Sequence, residues 1–227
     1  MDFPSAIAII PAHNESSAIA DVVAGLRAWQ FVKRILVVDD NSDDGTAASA
    51  VGAGAEALQL GEGQGGGKGQ AMREGLTFVK GDACDYYLFM DGDGQHDPAS
   101  LGNFAELLKS VSPPDILLGS RAQCRHLIPK ARWLTNVLGT WALSKIAGVA
   151  MEDSQCGFRM IRKEIMDSLQ LTGDGFTFEM EVALKAAHRH RRWAHVPVKA
   201  IYPKEGYSSH FRGATDTWLI AWHSLRC

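Results

Sequence analysis

No stretch of this chain approaches the ~20 consecutive apolar residues that a membrane-spanning helix needs. The start, "MDFPSAIAIIPAHNE", lacks the basic leader and the long apolar core of a secretory signal. The sequence is therefore expected to be soluble and cytoplasmic, at most peripheral on the inner face of a membrane. No cysteine pair has C-x-x-C spacing. The four cysteines, Cys84, Cys124, Cys156 and Cys227, are scattered and read as reduced thiols, not as a disulfide framework or a zinc site. Basic residues are not in excess either. The formal net charge of −3 argues against a general nucleic-acid binder, although a local basic face is compatible with it. There is no internal repeat and no convincing linker in the 227 residues, so one domain is expected.

Two phosphate-binding signatures are also missing. The Gly-rich "GEGQGGGKG" (61–69) invites comparison with a Walker A loop. That motif would need glycine at Glu62 and Ser or Thr at Gly69, so it fails. No G-x-G-x-x-G follows the first apolar run, which removes the dinucleotide fingerprint as well. Lys68, at the start of a helical pattern, could still meet a phosphate electrostatically; a solvated lysine in a flexible loop fits this stretch equally well.

What is present is alternation. The runs "AIAII" (6–10), "RILVVD" (34–39), "EALQL" (56–60), "YYLFM" (86–90) and "DILLG" (115–119) read as strands. Ser17 to Trp29, Gly45 to Val51, Lys68 to Val79 and Pro98 to Val111 read as helices between them. This predicts an α/β domain with a mostly parallel central sheet and helices on both faces, its strands continuously apolar because both sides are covered. The second half is less regular. It offers a helix from about Pro129 to Ile146, the irregular "EDSQCGFRMI", a helix over Phe178 to His190, a strand "AHVPVKAIY" (194–202) and a helical stretch from Thr215.

Ligands in such sheets bind beyond the carboxyl ends of the strands, where "PAHNE", "DDNSDDGT" and "DGDGQHDP" fall. Asp97 and Pro98 are explained as the cap and first residue of a helix. Asp91 and Asp93 are not. Two carboxylates at the end of a buried strand repel unless a cation or donors compensate them. With Gln95 they form an oxygen-rich set suited to Mg²⁺ or Mn²⁺ carrying a substrate diphosphate. Asp39 and Asp40 could accept hydrogen bonds from a base or ribose, while Asp43 or Asp44 with Gly45 reads as turn and cap chemistry.

In this order, "IIPAHNE" (9–15), "VVDDNSDDGT" (37–46), "GKGQAMREG" (67–75), "DGDGQHDP", "GSR" (119–121) and "DSQCGFRMI" (153–161) resemble the family 2 glycosyltransferases of GT-A fold. They are most similar to the polyprenyl-phosphate (dolichol-phosphate mannose synthase-like) branch. The resemblance runs from Ile7 to about Tyr202. It implies a nucleotide-sugar-binding half (1–121) and an acceptor-binding half (122–227). Pro11, Asn14 and Glu15 would lie against the nucleoside, with Asp40 on the base and Lys68 on the donor. Asp91, Asp93 and Gln95 would surround the metal and the donor diphosphate. Arg121, Asp153 and Arg159 would form the catalytic set, Asp153 as the candidate carboxylate and Arg159 also facing the acceptor. The implied reaction is inverting transfer from a nucleotide-diphosphate sugar to a lipid, a polyprenyl phosphate or else a hydroxyl-bearing one. A catalytically silent nucleotide-sugar binder is the remaining alternative.

The acceptor side leaves more open. His210 and Arg212 could grip an anionic head group or belong to a solvated loop. Trp133, Val137 and Trp141 share one helical face; a stripe at this spacing is more often core. Yet Arg125, Lys130 and Arg132 near its start, with Trp218 and Trp222 further on, also match an interfacial helix. The nucleotide, the sugar and the oligomeric state are not specified by the sequence.

Overall fold

The structure, a computed structural model, describes residues 3–61, 66–128, 130–173, 177–187 and 192–201. The expectations placed on His210, Arg212, Trp218, Trp222 and the helix from Thr215, and on the side chains of Lys130 and Arg132, lie outside the described residues.

The first half alternates as its pattern predicts: β1 (Ala6–Ala12), α1 (Ile19–Arg27), β2 (Val32–Asp39), α2 (Thr46–Gly52), β3 (Glu56–Gln59), α3 (Lys68–Phe78) and β4 (Tyr86–Phe89). A short 3₁₀ turn, Pro98–Ser100, then leads into α4 (Leu101–Leu108), and β5 (Ile116–Ser120) follows. Asp97 caps that turn as expected, its carboxylate accepting from Ala99 N at 3.0 Å, with Pro98 at the first position. The later elements are α5 (Lys130–Ala147), β6 (Arg159–Arg162), α6 (Lys163–Asp167), α7 (Thr177–Ala187) and β7 (Trp193–Pro197). Among the described residues these strands form one sheet of order β3-β2-β1-β4-β6-β5-β7. Every pairing is parallel except those of β6, which runs antiparallel to β4 and β5.

Strand β6 is a departure from expectation, since 153–161 reads as irregular. It is four residues long, and arginines at both ends leave it no apolar run. Its pairing comes from its neighbours: Phe89 faces Arg159 on one side and Leu118 faces it on the other. The insertion brings residues 153–159 to the same end of the sheet as Asp91.

Alternation along β1 divides the core into two layers. Ala6, Ala8 and Ile10 pack with Val22, Val23 and Leu26 of α1 and Phe104 of α4 on one face. Ile7 and Ile9 pack with Met72 of α3 and Phe178 and Val182 of α7 on the other. Cys84, Cys124 and Cys156 are free thiols. Among the described residues no helix is long and apolar enough to cross a membrane.

Helix α3 lies close to the sheet because Gly75 has no side chain. A Cβ there would stand 2.7 Å from Ile9 Cγ2 and 2.9 Å from Val38 Cγ2. Gly75→Val should therefore overpack this contact and cost about 2–3 kcal/mol. A lower urea midpoint at unchanged m-value would show it, while an unchanged midpoint would mean that α3 can move away freely.

Candidate active site

The loops after β1 and β2 are laced together at the carboxyl ends of these strands. Asn14, at φ 56°, donates its backbone N–H to Ser42 Oγ at 2.9 Å and accepts from Asp43 N at 3.0 Å through Oδ1. The Glu15 N–H reaches Thr46 Oγ1 at 2.8 Å. Asp44 does the turn and cap work: it accepts from Thr46 N and Oγ1 and from Ser16 N. Burial is the largest single influence and raises its carboxyl, but the hydrogen bonds from Thr46 and Ser16 together outweigh it and hold the group at about 2. Asp40 sits at the mouth of this cleft. Its Oδ2 accepts from Gly67 N at 2.9 Å, and its buried Oδ1 has no partner. An unpartnered carboxylate oxygen is a costly feature that a ligand N–H would relieve. Pro11 lies in the buried run of β1, one residue before its end at Ala12.

The acidic strand end lies next to it. Asp93 accepts from Gln95 N at 3.0 Å and from the Gln95 side-chain amide at 2.5 Å. The Asp91 carboxylate turns inward, 2.5 Å from Lys68 Nζ, and the same ammonium lies 2.9 Å from Glu179 Oε1. Burial would lower the Lys68 pKa, but Asp91 and Glu179 outweigh it and keep the ammonium charged. Burial would raise Asp91, and Lys68 holds it well below the ordinary carboxylate value instead. His96, 3.8 Å from Asp91, is pushed down to about 4 chiefly by burial, so it is neutral at pH 7. Glu15 is pushed up to about 7, first by burial and then by the charges of Asp93, Asp91 and Asp44.

Whether a divalent cation fits here is a question of donor chemistry. Among the described residues no three His, Cys, Asp or Glu side chains stand together as a ready metal cluster. Asp91, Asp93 and the Gln95 amide are nevertheless hard oxygen donors at one strand end. The charges of Asp93, Asp91 and Asp44 add to burial in raising Glu15, so this end is an acidic environment. The set fits a hard divalent cation.

Across the cleft stands the strongest polar pair of the site. Arg121 grips Asp153 with Nε to Oδ2 at 2.7 Å and Nη2 to Oδ1 at 2.9 Å, and its backbone N–H adds a third contact at 3.3 Å. Burial alone would raise the Asp153 pKa; Arg121's hydrogen bonds and charge outweigh it and hold the carboxyl below its ordinary range. The pair borders a cavity of about 260 Å³ whose wall includes Arg125, Trp133, Asn136, Val137 and Thr140. Arg125 stacks over the Trp133 ring at 4.1 Å, and buried Asn136 Oδ1 has no partner. Thr140 ties α5 to the 153–155 loop, accepting from Ser154 N at 3.1 Å.

The structure sets Arg159 apart from the other expected site residues. It is 2% exposed and does not line the cavity. Its guanidinium donates to the carbonyls of Cys156, Ser154 and Glu179, and lies 3.6 Å from the Glu179 carboxylate. It shapes the 154–156 loop from beneath. Sequence reasoning missed Glu179, which joins Lys68 to Arg159. The only signal was an acid between Phe178 and Met180 in an apolar run. Arg125 and Asn136 were also missed as cavity residues.

The stripe on α5 departs from the core expectation. Val137 and Trp141 are 42% and 62% exposed, and Leu134, Leu138 and Ile146 are exposed as well. The buried positions are Asn136, Thr140 and Leu143. This helix turns polar residues inward, toward the cavity and the 153–155 loop, and apolar residues outward.

A mixed α/β sheet with an acidic strand end facing an Arg–Asp pair defines a GT-A glycosyltransferase domain. The chain belongs to glycosyl transferase family 2, whose model matches residues 7–170. It is 32% identical over 209 residues to the glycosyltransferase AglJ of Haloferax volcanii, covering 90% of this chain and 65% of that protein. It is 26% identical over 238 residues to the undecaprenyl-phosphate mannosyltransferase of Micrococcus luteus, covering 97% of each. Among solved structures, glucosyl-3-phosphoglycerate synthase from Mycobacterium tuberculosis in complex with Mn²⁺, UDP and phosphoglyceric acid matches at TM-score 0.71 and 16% identity. That match covers 98% of this chain and 76% of the other.

The Arg121–Asp153 pair gives a direct test. Arg121→Ala leaves a buried carboxylate unpaired and should cost about 3–5 kcal/mol at pH 7. Asp153 has a depressed folded pKa, so its contribution is complete above the unfolded value of about 3.9 and is lost as pH falls through the folded one. The stability gap between wild type and Asp153→Asn should therefore shrink as urea titrations move from pH 6 to below pH 4. A gap independent of pH would mean that Asp153 is not held ionised by Arg121.

Proposed function

We propose that this chain transfers a sugar, with inversion, from a nucleotide-diphosphate donor to a polyprenyl phosphate presented at a membrane surface. The observation that carries this reading is the occupied state of Asp153. Both its oxygens are engaged by Arg121 and its pKa lies below the ordinary range, which makes it a poor general base. A hydroxyl acceptor would need that base. A phosphate acceptor arrives already ionised and does not.

Residues 1–121 supply the donor half of the proposed site and residues from 122 the acceptor half. Asp40, with its unpartnered oxygen, suits a base N–H, and Pro11, Asn14 and Glu15 suit the nucleoside face. Asp91, Asp93 and Gln95 would hold Mg²⁺ or Mn²⁺. When bound, that cation would neutralise charge on the departing diphosphate. Lys68 would add positive charge from the α3 start. On the acceptor side, Arg121 and Arg125 line the cavity together with Glu152, and Asp153 fixes the Arg121 guanidinium in orientation, leaving Arg125 to meet an anionic group. Arg159 positions the loop that carries Asp153. The likeness to an undecaprenyl-phosphate mannosyltransferase across nearly the whole chain supports the lipid phosphate, and the solved relative with Mn²⁺ and UDP supports the donor chemistry.

The outward apolar face of α5 supports a membrane-borne acceptor. It adjoins the cavity through Trp133 and Val137. An exposed row of Leu, Val and Trp suits the interfacial layer of a bilayer, where burying apolar side chains contributes to binding.

The discriminating experiment offers polyprenyl phosphate and the free polyprenol side by side, with a panel of nucleotide sugars and Mn²⁺. Labelled product is expected from the phosphate alone; comparable labelling of the polyprenol would overturn the acceptor assignment. In the same assay, Trp141→Ser should weaken sedimentation with anionic vesicles several-fold and leave the melting temperature within about 2 °C, as for an exposed site. A large drop in melting temperature with unchanged vesicle binding would return Trp141 to the core.

A further inference from the structure

Asp91 is seated inward by its surroundings. A Cβ on Gly157 would stand 2.6 Å from Asp91 Cγ, so the carboxylate lies directly against that backbone. In this seat it meets Lys68, whose ammonium is shared between Asp91 at 2.5 Å and Glu179 at 2.9 Å. The two ends of this bridge differ in exposure. The Asp91 side chain is 25% exposed and that of Lys68 20%, whereas Glu179 is 5% and Arg159 behind it 3%. One carboxylate opens to the cleft and the other is enclosed. A ligand entering the cleft can reach Asp91 without disturbing Glu179.

We propose that Lys68 is an exchangeable internal counter-ion: its ammonium occupies Asp91 until the donor's divalent cation takes that carboxylate, and Glu179 retains it nearby. The inference rests on the metal-dependent reading given above. It follows from charge accounting in a confined space. A carboxylate facing two cations would be over-compensated, and two ions of like sign on one carboxylate repel. An enclosed Glu179 cannot be left without its partner at acceptable cost. With a cation on Asp91, the ammonium moves from its shared position onto Glu179, which Arg159 faces only at 3.6 Å and so leaves in need of a closer partner. Lys68 is then released on the cleft side, where a diphosphate supplies further negative charge. The device also explains why a lysine is fixed at the first position of α3, where a helix gains nothing from positive charge.

Binding of Mn²⁺ alone, followed by the electron paramagnetic resonance signal of the free ion, tests the exchange without any catalytic turnover. Lys68→Met removes the competitor and keeps the stem, so Mn²⁺ affinity should rise about tenfold or more. Without metal the variant should melt below wild type, and added Mn²⁺ should recover more of its stability than it adds to wild type. Glu179→Gln leaves Asp91 as the sole carboxylate partner of Lys68, so Mn²⁺ should bind several-fold more weakly. Should Lys68→Met fail to fold, Glu179→Gln alone decides, and an unchanged affinity overturns the proposal. It is equally overturned if wild type binds Mn²⁺ and Lys68→Met binds it no better. If wild type binds no Mn²⁺ even with UDP present, the metal reading fails, and Lys68 is a permanent structural partner of Asp91.

Discussion

Matched charge in a space with little water is the constraint on which this site depends. Asp91 and Glu179 contribute two negative charges, Lys68 and Arg159 two positive ones, and neutral His96 closes the group. Each enclosed ion costs several kcal/mol to desolvate, and only close opposite charge offsets that. The four charged residues come from four elements: the end of β4, the start of α7, the start of α3 and β6. Meeting this electrostatic requirement therefore fixes the geometry of the whole strand end. Strand β6, between β4 and β5, carries the Asp153 loop to the same end of the sheet as Asp91.

A second balanced pair repeats the logic across the cleft. Arg121 neutralises Asp153, orients it and removes its basicity in one arrangement. Arg125 and Glu152 line the cavity beside this pair, next to a helix that presents apolar residues outward. An anionic group carried on a long apolar tail meets both conditions. The polar inner face of α5 is what couples them, since Thr140 holds Ser154 directly beside Asp153.

Much of this was legible in the residues. Continuous apolar runs such as "RILVVD" mark strands because a sheet covered on both faces needs no alternation, and the acidic "DGDG" after one of them marks the cleft. Strand β6 was not legible, because "RMIR" is held by its neighbours and has no apolar pattern of its own. Glu179 was hidden for a related reason: its partner lies over a hundred residues away, and nothing local distinguishes it from Glu181, which binds the Thr172–Gly173 backbone instead. The α5 stripe left core and interface readings open because periodicity shows that a face exists but not which side of the helix meets the protein. Asn136 and Thr140, the polar residues between the tryptophans, carried that answer.

The central claim is that Asp93, outside the matched group, and Asp91, once released by Lys68, call for a divalent cation before a nucleotide diphosphate can bind. Calorimetric titration of UDP and GDP into the protein, with Mn²⁺ and again with excess chelator, measures this directly. The account predicts binding of one nucleotide with Mn²⁺ and a loss of at least a hundredfold in affinity without it, about 2.7 kcal/mol. Equal affinity in chelator would contradict it and leave the protein's own lysine and arginines as the sole counter-charges of the site.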